Sequence, residues 1–306
     1  MRWSWLILAF VPPLLALAIQ KDQPPQYNVR VNVVSLDVEV LERTGDPVLN
    51  LAAGDFVVRE DGKEMQLTNF SRLHDRSVSL AIVLDTSGIS LDKLNMAKRF
   101  ILQLIHLLDR KDDICLYSFS TEDAQLEQDF TQNRRLLVDA LENISVPSHG
   151  TGGVLSELLS PEPRTALAID LALINLRKAQ NPKKALLVIS NRFRGLGPAT
   201  VDHVQNSGFT LLTLGFSNKA TLLVTLGGDA ISRRQLMRES GGRRFSADTE
   251  DTTVVCRTIA YSLKNYYALS YLTQIGPNDE KLRHIKVQIP GRDYVINARR
   301  TYSPKT

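Results

Sequence analysis

Residues 78–84, VSLAIVL, carry one hydroxyl among aliphatic side chains and stop at Asp85-Thr86-Ser87-Gly88. A run this apolar must be buried on both faces, and a strand so buried belongs at the centre of a parallel sheet covered by helices. The following residues supply a cover: Leu94, Ala97, Ile101, Leu104, Ile105 and Leu108 recur at helical spacing. Ligands of open α/β sheets gather at the carboxyl ends of the strands. Asp85 and Ser87, two residues apart, therefore stand where a site is expected, and their oxygens suit a hard cation such as Mg²⁺. The plainer reading is a strand-to-helix turn whose Asp and Ser satisfy backbone donors.

From 76 to 265 strand and helix signals alternate, which predicts βα units and an α/β fold with a doubly wound, mostly parallel sheet. Strands are expected at 114–119, 185–190 and 209–216. Helices are expected at 134–144, 201–206 and 249–264, at 233–239 where Gly241-Gly242 stops the chain, and at 165–179 with Leu167, Leu171 and Ile174 on one face. The stretch 145–164 is rich in Gly, Pro and Ser and reads as a long exposed loop. No Gly-Lys-Ser or Gly-Lys-Thr follows its glycines, so it is not a phosphate-binding loop.

Both flanks of this unit read as β structure. Alternation over 29–41 and the pair 56–60 and 64–67 around Asp61-Gly62 predict a small antiparallel unit at 28–75. About 48 residues are few for a free-standing core. Strand patterns at 266–272, 284–289 and 294–298 supply the missing partners, so the termini meet in a composite β-sandwich interrupted by the larger unit. The resulting division is 1–18 signal peptide, 19–27 linker, 28–75 N-terminal β unit, 76–265 α/β domain, and 266–306 strands returning to the β unit.

The signal-peptide reading rests on Arg2, a short apolar run broken by Pro12-Pro13, and Ala16-Leu17-Ala18 at its end. Cleavage after Ala18 would place the protein outside the cell or in the periplasm, with no membrane span left. A retained N-terminal anchor is the alternative. The net charge of +4, or +3 without Arg2, is spread along the chain and argues against a nucleic-acid partner. Two cysteines, Cys115 and Cys256, make no disulfide framework; they read as buried thiols or a single bridge.

Asp85 and Ser87, Thr165 at the start of a helix, and Ser190-Asn191 at the end of ALLVIS converge on one sheet edge. This order resembles a von Willebrand factor type A (VWA) domain over about 190 residues, 76–265. The mature chain resembles secreted bacterial VWA-related proteins in which a small β unit precedes that domain, on the phrases DFVVREDGKEMQLTNFS, VLDTSG, RTALAIDLAL, YYALSYL and KVQIPGRDYVINARRTY. The resemblance implies a metal-ion-dependent adhesion site for Mg²⁺ or Mn²⁺ drawn from Asp85, Ser87, Thr165 and Asn191, with a protein partner bound there and no enzymatic activity. Two positions depart from the family pattern. Ile89 replaces the second motif serine, and Asn191 stands where a carboxylate is usual. An aliphatic chain cannot ligate a hard cation, and loss of a carboxylate lowers site charge. Ser90 reads as the N-cap of the next helix. Arg164, Arg192 and Arg194 map to the same edge and offer a metal-independent alternative, guanidinium pairing with acidic groups of a partner.

The enzyme readings are poorly supported. The five histidines stand singly, without zinc spacing. A hydrolase elbow needs glycine at 85 and 89, where Asp85 and Ile89 stand. Asp112-Asp113, the remaining carboxylate pair, reads as a solvated turn.

Overall fold

A computed structural model describes residues 30–87, 89–146, 164–190, 196–216, 236–237, 240–247, 251–275 and 281–304. The signal-peptide segment and most of the loop at 145–164 lie outside these residues. Among the described residues, no helix is long and apolar enough to cross a membrane.

The N-terminal strands are β1 (Arg30–Leu41), β2 (Val57–Glu60), β3 (Lys63–Met65) and β4 (Leu67–Leu73). The central unit runs β5 (Val78–Asp85), α1 (Leu91–Leu107), β6 (Asp113–Phe119), β7 (Ala124–Thr131), α2 (Arg134–Asn143), α3 (Thr165–Lys178), β8 (Lys183–Ile189), α4 (Pro198–Ser207), β9 (Thr210–Gly215), β10 (Arg243–Ser246) and α5 (Thr252–Lys264). The chain ends with β11 (Tyr266–Ile275), β12 (Arg283–Gln288), β13 (Val295–Asn297) and β14 (Thr301–Tyr302).

β5 lies inside a six-stranded sheet of order β10-β9-β8-β5-β6-β7, parallel throughout except for β7. All eight of its residues are buried. Their alternation divides the core in two, as a doubly wound sheet requires. Leu80, Ile82 and Leu84 face Phe100, Ile101 and Leu104 of α1 and Val255 and Ile259 of α5. Ala81 and Val83 face Ile169, Ala172 and Leu173 of α3. From β5 the chain builds first towards β6 and later towards β8, so the carboxyl end of β5 is a topological switch point.

The terminal strands form two four-stranded sheets, β13-β1-β11-β4 and β14-β12-β2-β3, around a third core containing Leu36, Val38, Phe56, Tyr267, Leu269 and Ile285. β1 and β11 pair from Arg30↔Ile275 to Val38↔Tyr267, which is how the two ends of the chain meet. Asp61 and Gly62 both take positive φ, 47° and 84°, as a two-residue hairpin with the right-handed twist demands. The expected strand at 64–67 is broken at Gln66: β3 ends there and β4 joins the opposite sheet. Glu60 is buried between the layers and accepts hydrogen bonds from Tyr271 Oη (2.8 Å), Thr273 Oγ1 (2.6 Å) and Tyr302 Oη (2.9 Å). One N-terminal carboxylate thus gathers three C-terminal hydroxyls.

The sandwich is fastened to the central unit by polar contacts. Lys183 at the start of β8 is buried, binds Asp37 at 2.6 Å and lies 4.1 Å from the ring centre of Tyr266. Glu39 accepts from Arg243 (2.9 Å) and Asn297 (2.7 Å). A Cβ on Gly241 would lie 2.3 Å from the Ala298 carbonyl carbon, so Gly241 also lets the C-terminal segment approach closely.

Two readings of the sequence change. On α3 the face bearing Leu167 and Ile174 points outward, at 45% and 49% exposure, while Ala168, Ile169, Ala172, Leu173 and Leu176 pack on the sheet. Both stripes have helical periodicity; the one with alanines lets the helix lie closer to the strands. Asp112 is not solvated. It is fully buried at the amino end of the sheet, accepting from Val78 N (2.9 Å) and Asp109 N (2.7 Å) and pairing with Lys264 Nζ at 2.9 Å. Cys115 and Cys256 are free, buried and on opposite faces of the sheet, so no bridge joins them. Burial pushes the Cys256 thiol up to about 12.

Candidate functional site

The carboxyl end of β5 is built by local hydrogen bonds. Thr86 leaves the strand with its N–H (2.8 Å) and its Oγ1 (2.9 Å) both donating to the Phe119 carbonyl at the end of β6. One residue on, the Ser120 carbonyl accepts from Arg164 N at 2.8 Å, bringing the start of α3 to the same edge. Ser90 caps α1, its Oγ accepting from Lys93 N at 3.4 Å, with Asp92 in the first turn complementing the helix dipole.

Asp85 sits inside this frame. One carboxylate oxygen accepts from Ser87 N at 2.8 Å and from the Ser87 hydroxyl. The other accepts from Ser190 Oγ, at the end of β8, at 2.5 Å. Asp85, Thr86, Ser87, Thr165 and Ser190 are all buried. Thr165 Oγ1 has no hydrogen-bond partner among the described residues. A buried hydroxyl without a partner costs about 1–3 kcal/mol, so this atom stands in want of a ligand.

The sequence brings Asp85, Ser87 and Thr165 together at one edge, and the structure places all three there. Ser190, two strands' pairing away from β6 and directly beside β5, was legible as a strand end; its bond to Asp85 was not, since it depends on the β5–β8 register. Ile89 turns away into the core against α1, which accounts for an aliphatic residue at that position. Arg164 is exposed at the N-cap of α3. Asn191, Arg192 and Arg194 lie outside the described residues.

These donors partly fit a hard divalent cation. The unpartnered Thr165 hydroxyl, the Ser87 lone pairs and the Asp85 carboxylate are oxygen ligands of the right kind. Among the described residues no group of three or more His, Cys, Asp or Glu side chains could hold a metal.

The doubly wound α/β unit thus groups hydroxyl and carboxylate oxygens at its switch point. Residues 80–193 match the family model of the von Willebrand factor type A domain. No curated protein matches the chain. Solved structures similar to it include conserved hypothetical protein BatB from Bacteroides thetaiotaomicron, at 18% identity over 61% of this chain and 98% of that one (TM-score 0.46). A von Willebrand factor type A protein from Catenulispora acidiphila is similar at 12% identity over 82% of this chain and 74% of that one (TM-score 0.46). The vWF domain of the type V pili tip protein Mfa5 from Porphyromonas gingivalis is similar at 10% identity, covering 62% and 97% (TM-score 0.42).

Proposed function

We propose that this chain is a non-enzymatic protein-interaction module that binds a protein partner at the carboxyl edge of its VWA sheet, outside the cell or in the periplasm. The observation carrying this reading is the Asp85 carboxylate held between the Ser87 and Ser190 hydroxyls, at the sheet edge where Thr165 Oγ1 has no hydrogen-bond partner among the described residues. The Ser87 hydroxyl gives its hydrogen bond to a carboxylate, not to a histidine, which favours a ligand over a nucleophile.

Where Mg²⁺ or Mn²⁺ is bound, it supplies a positive charge that a partner carboxylate can complete. Ser87 and Thr165 would ligate it directly and Asp85 mainly through water, with Asn191 the remaining candidate. Asp85 orients Ser87 by accepting a hydrogen bond from its hydroxyl. Ser190 holds the second carboxylate oxygen and fixes the Asp85 rotamer. Isothermal titration with each ion should give heat from the wild type and none from Asp85→Ala. No heat from either ion on the wild type would remove the cation from the reading.

A second reading is supported by the exposure of Arg164 at this edge. Here Arg164, with Arg192 and Arg194, pairs directly with acidic groups of the partner. Partner binding would then survive EDTA and fail in the triple reversal to Glu, whereas the cation reading expects release by EDTA.

A further inference from the structure

The C-terminal strands leave a second surface with its own chemistry. β14 pairs with β12 only at Arg283↔Tyr302 and His284↔Thr301. Beyond that point β12 has β2 on one side and a groove of about 580 Å³ on the other, between β12 and the segment carrying β13. Asp61 N donates to the His284 carbonyl, so alternate residues from His284 turn their backbone groups to β2. Ile285 faces the opposite way and donates its N–H to the Arg300 carbonyl at 2.7 Å. Val287 follows with the same orientation, and no described backbone bond meets it on that edge. It presents one donor and one acceptor to the groove, the start of a strand-pairing edge.

Charge decides what could pair there. The residues lining the groove include Lys286, Arg292, Arg299 and Arg300, and no carboxylate. Lys286, Arg292 and Arg300 are exposed and form no ion pair among the described residues. The acids close in sequence and register are already engaged: Asp293 binds Arg43 through both oxygens (2.5 and 2.6 Å), and Glu64 binds Arg59 at 3.2 Å. Arg59 stands opposite Lys286 in the ladder, but its charge is met by Glu64, which leaves Lys286 the cation of that pair without an ion-pair partner among the described residues. Arg299 is more enclosed; its Nε donates to the Thr301 carbonyl at 2.7 Å and its guanidinium lies 5.4 Å from the Tyr302 ring centre. Apolar Val287 and Ile296 form part of the groove wall.

We infer that this groove receives an extended acidic segment of a partner protein, which adds a short strand to the free edge of β12 at Val287 and sets its carboxylates against Lys286, Arg292 and Arg300. Main-chain bonds supply affinity in this mode, and the alternating side chains supply selectivity. The site lies on the sandwich and is independent of the Asp85 edge.

The test uses a fluorescent, end-capped peptide of about eight residues alternating valine and glutamate, long enough for one ordinary strand. Anisotropy should show binding to the full chain that weakens with salt and is lost when lysine replaces glutamate. Lys286→Glu with Arg300→Glu, both at exposed positions, should weaken it by about tenfold or more. Asp85→Ala should leave it unchanged, which separates this site from the VWA edge. A version N-methylated at alternate residues, unable to bond β12, should not bind. Equal binding of the lysine or N-methylated peptide, or indifference to the double reversal, overturns the inference. So does binding of phosphatidylglycerol vesicles without the peptide, or self-association in sedimentation that the reversal abolishes; those outcomes would assign the groove to a membrane surface or to a second copy.

Discussion

The two ends of the six-stranded sheet use aspartate in opposite ways. At the amino end Asp112 is fully buried, takes two backbone N–H bonds and shares Lys264 with Asp109 and Asp75, while Lys111 also holds Asp75 at 2.8 Å. At the carboxyl end the described partners of Asp85 are two hydroxyls and one amide N–H. A carboxylate neutralised by a buried lysine is committed to holding elements together, here β5, the 109–112 turn and α5. A carboxylate that takes hydrogen bonds from a turn amide and two hydroxyls is oriented by them, at a strand end where oxygen groups gather.

The comparison is sharpest at Asp112. Asp112→Ala leaves Lys264 buried among fewer anions and two backbone N–H groups unpaired, and should cost about 3–5 kcal/mol in urea unfolding. A loss below 1 kcal/mol would show that the amino end is no latch. Ile89→Ser restores a ligand type while removing an aliphatic group from the core against α1. It should lower stability by about 2–5 kcal/mol without creating Mg²⁺ affinity in titration, because the side chain faces inward; tighter Mg²⁺ binding would place residue 89 in the site. Asp85→Asn keeps shape and most hydrogen bonds, so thermal unfolding should register a loss of about 1 kcal/mol. A loss matching that of Asp112→Asn would erase the distinction between the two ends.

The smallest effect near neutral pH comes from Lys264→Arg. Desolvation lowers the Lys264 pKa, but its bonds to Asp109 and Asp112 outweigh that and raise it overall. A lysine whose folded pKa is raised stabilises below the ordinary lysine range and loses that contribution as pH rises through the folded value. Arginine stays charged there, so the variant should keep more of its urea midpoint on the alkaline side than the wild type. Parallel alkaline slopes for the two proteins would remove Lys264 as a source of the pH dependence.

Much of this was legible from apolar pattern. The largely aliphatic β5 required a sheet covered on both faces, and the matching β patterns at the two ends required each other. Elements carried by polar residues were not legible. β7, AQLEQDFT, is an edge strand with no fully buried residue; its apolar alternation, Ala124, Leu126 and Phe130, is interrupted by Gln128 and too weak to mark a strand. β10, RRFS, offers a single buried phenylalanine. At the site, the residue types near Asp85 could be listed from the chain, but Ser190 becomes its partner only through a register between strands 105 residues apart. The role of Asp112 was hidden for the same reason: a charged pair before a strand looks solvated until Lys264, at the far end of the domain, is placed beside it.

The long pairing of β1 with β11 also sets an order of events in folding. β1 has neither main-chain neighbour until residues 266–275 and 295–297 have been made, whereas the central sheet closes from contacts within 78–264. Contacts of such separation are slow to form because the chain between them must first be brought together. A central domain that folded first would shorten that search, because it would draw Leu73 and Tyr266, which are paired neighbours in β4 and β11, to one place. The N-terminal strands would then complete last, on a template supplied by β11 and β13.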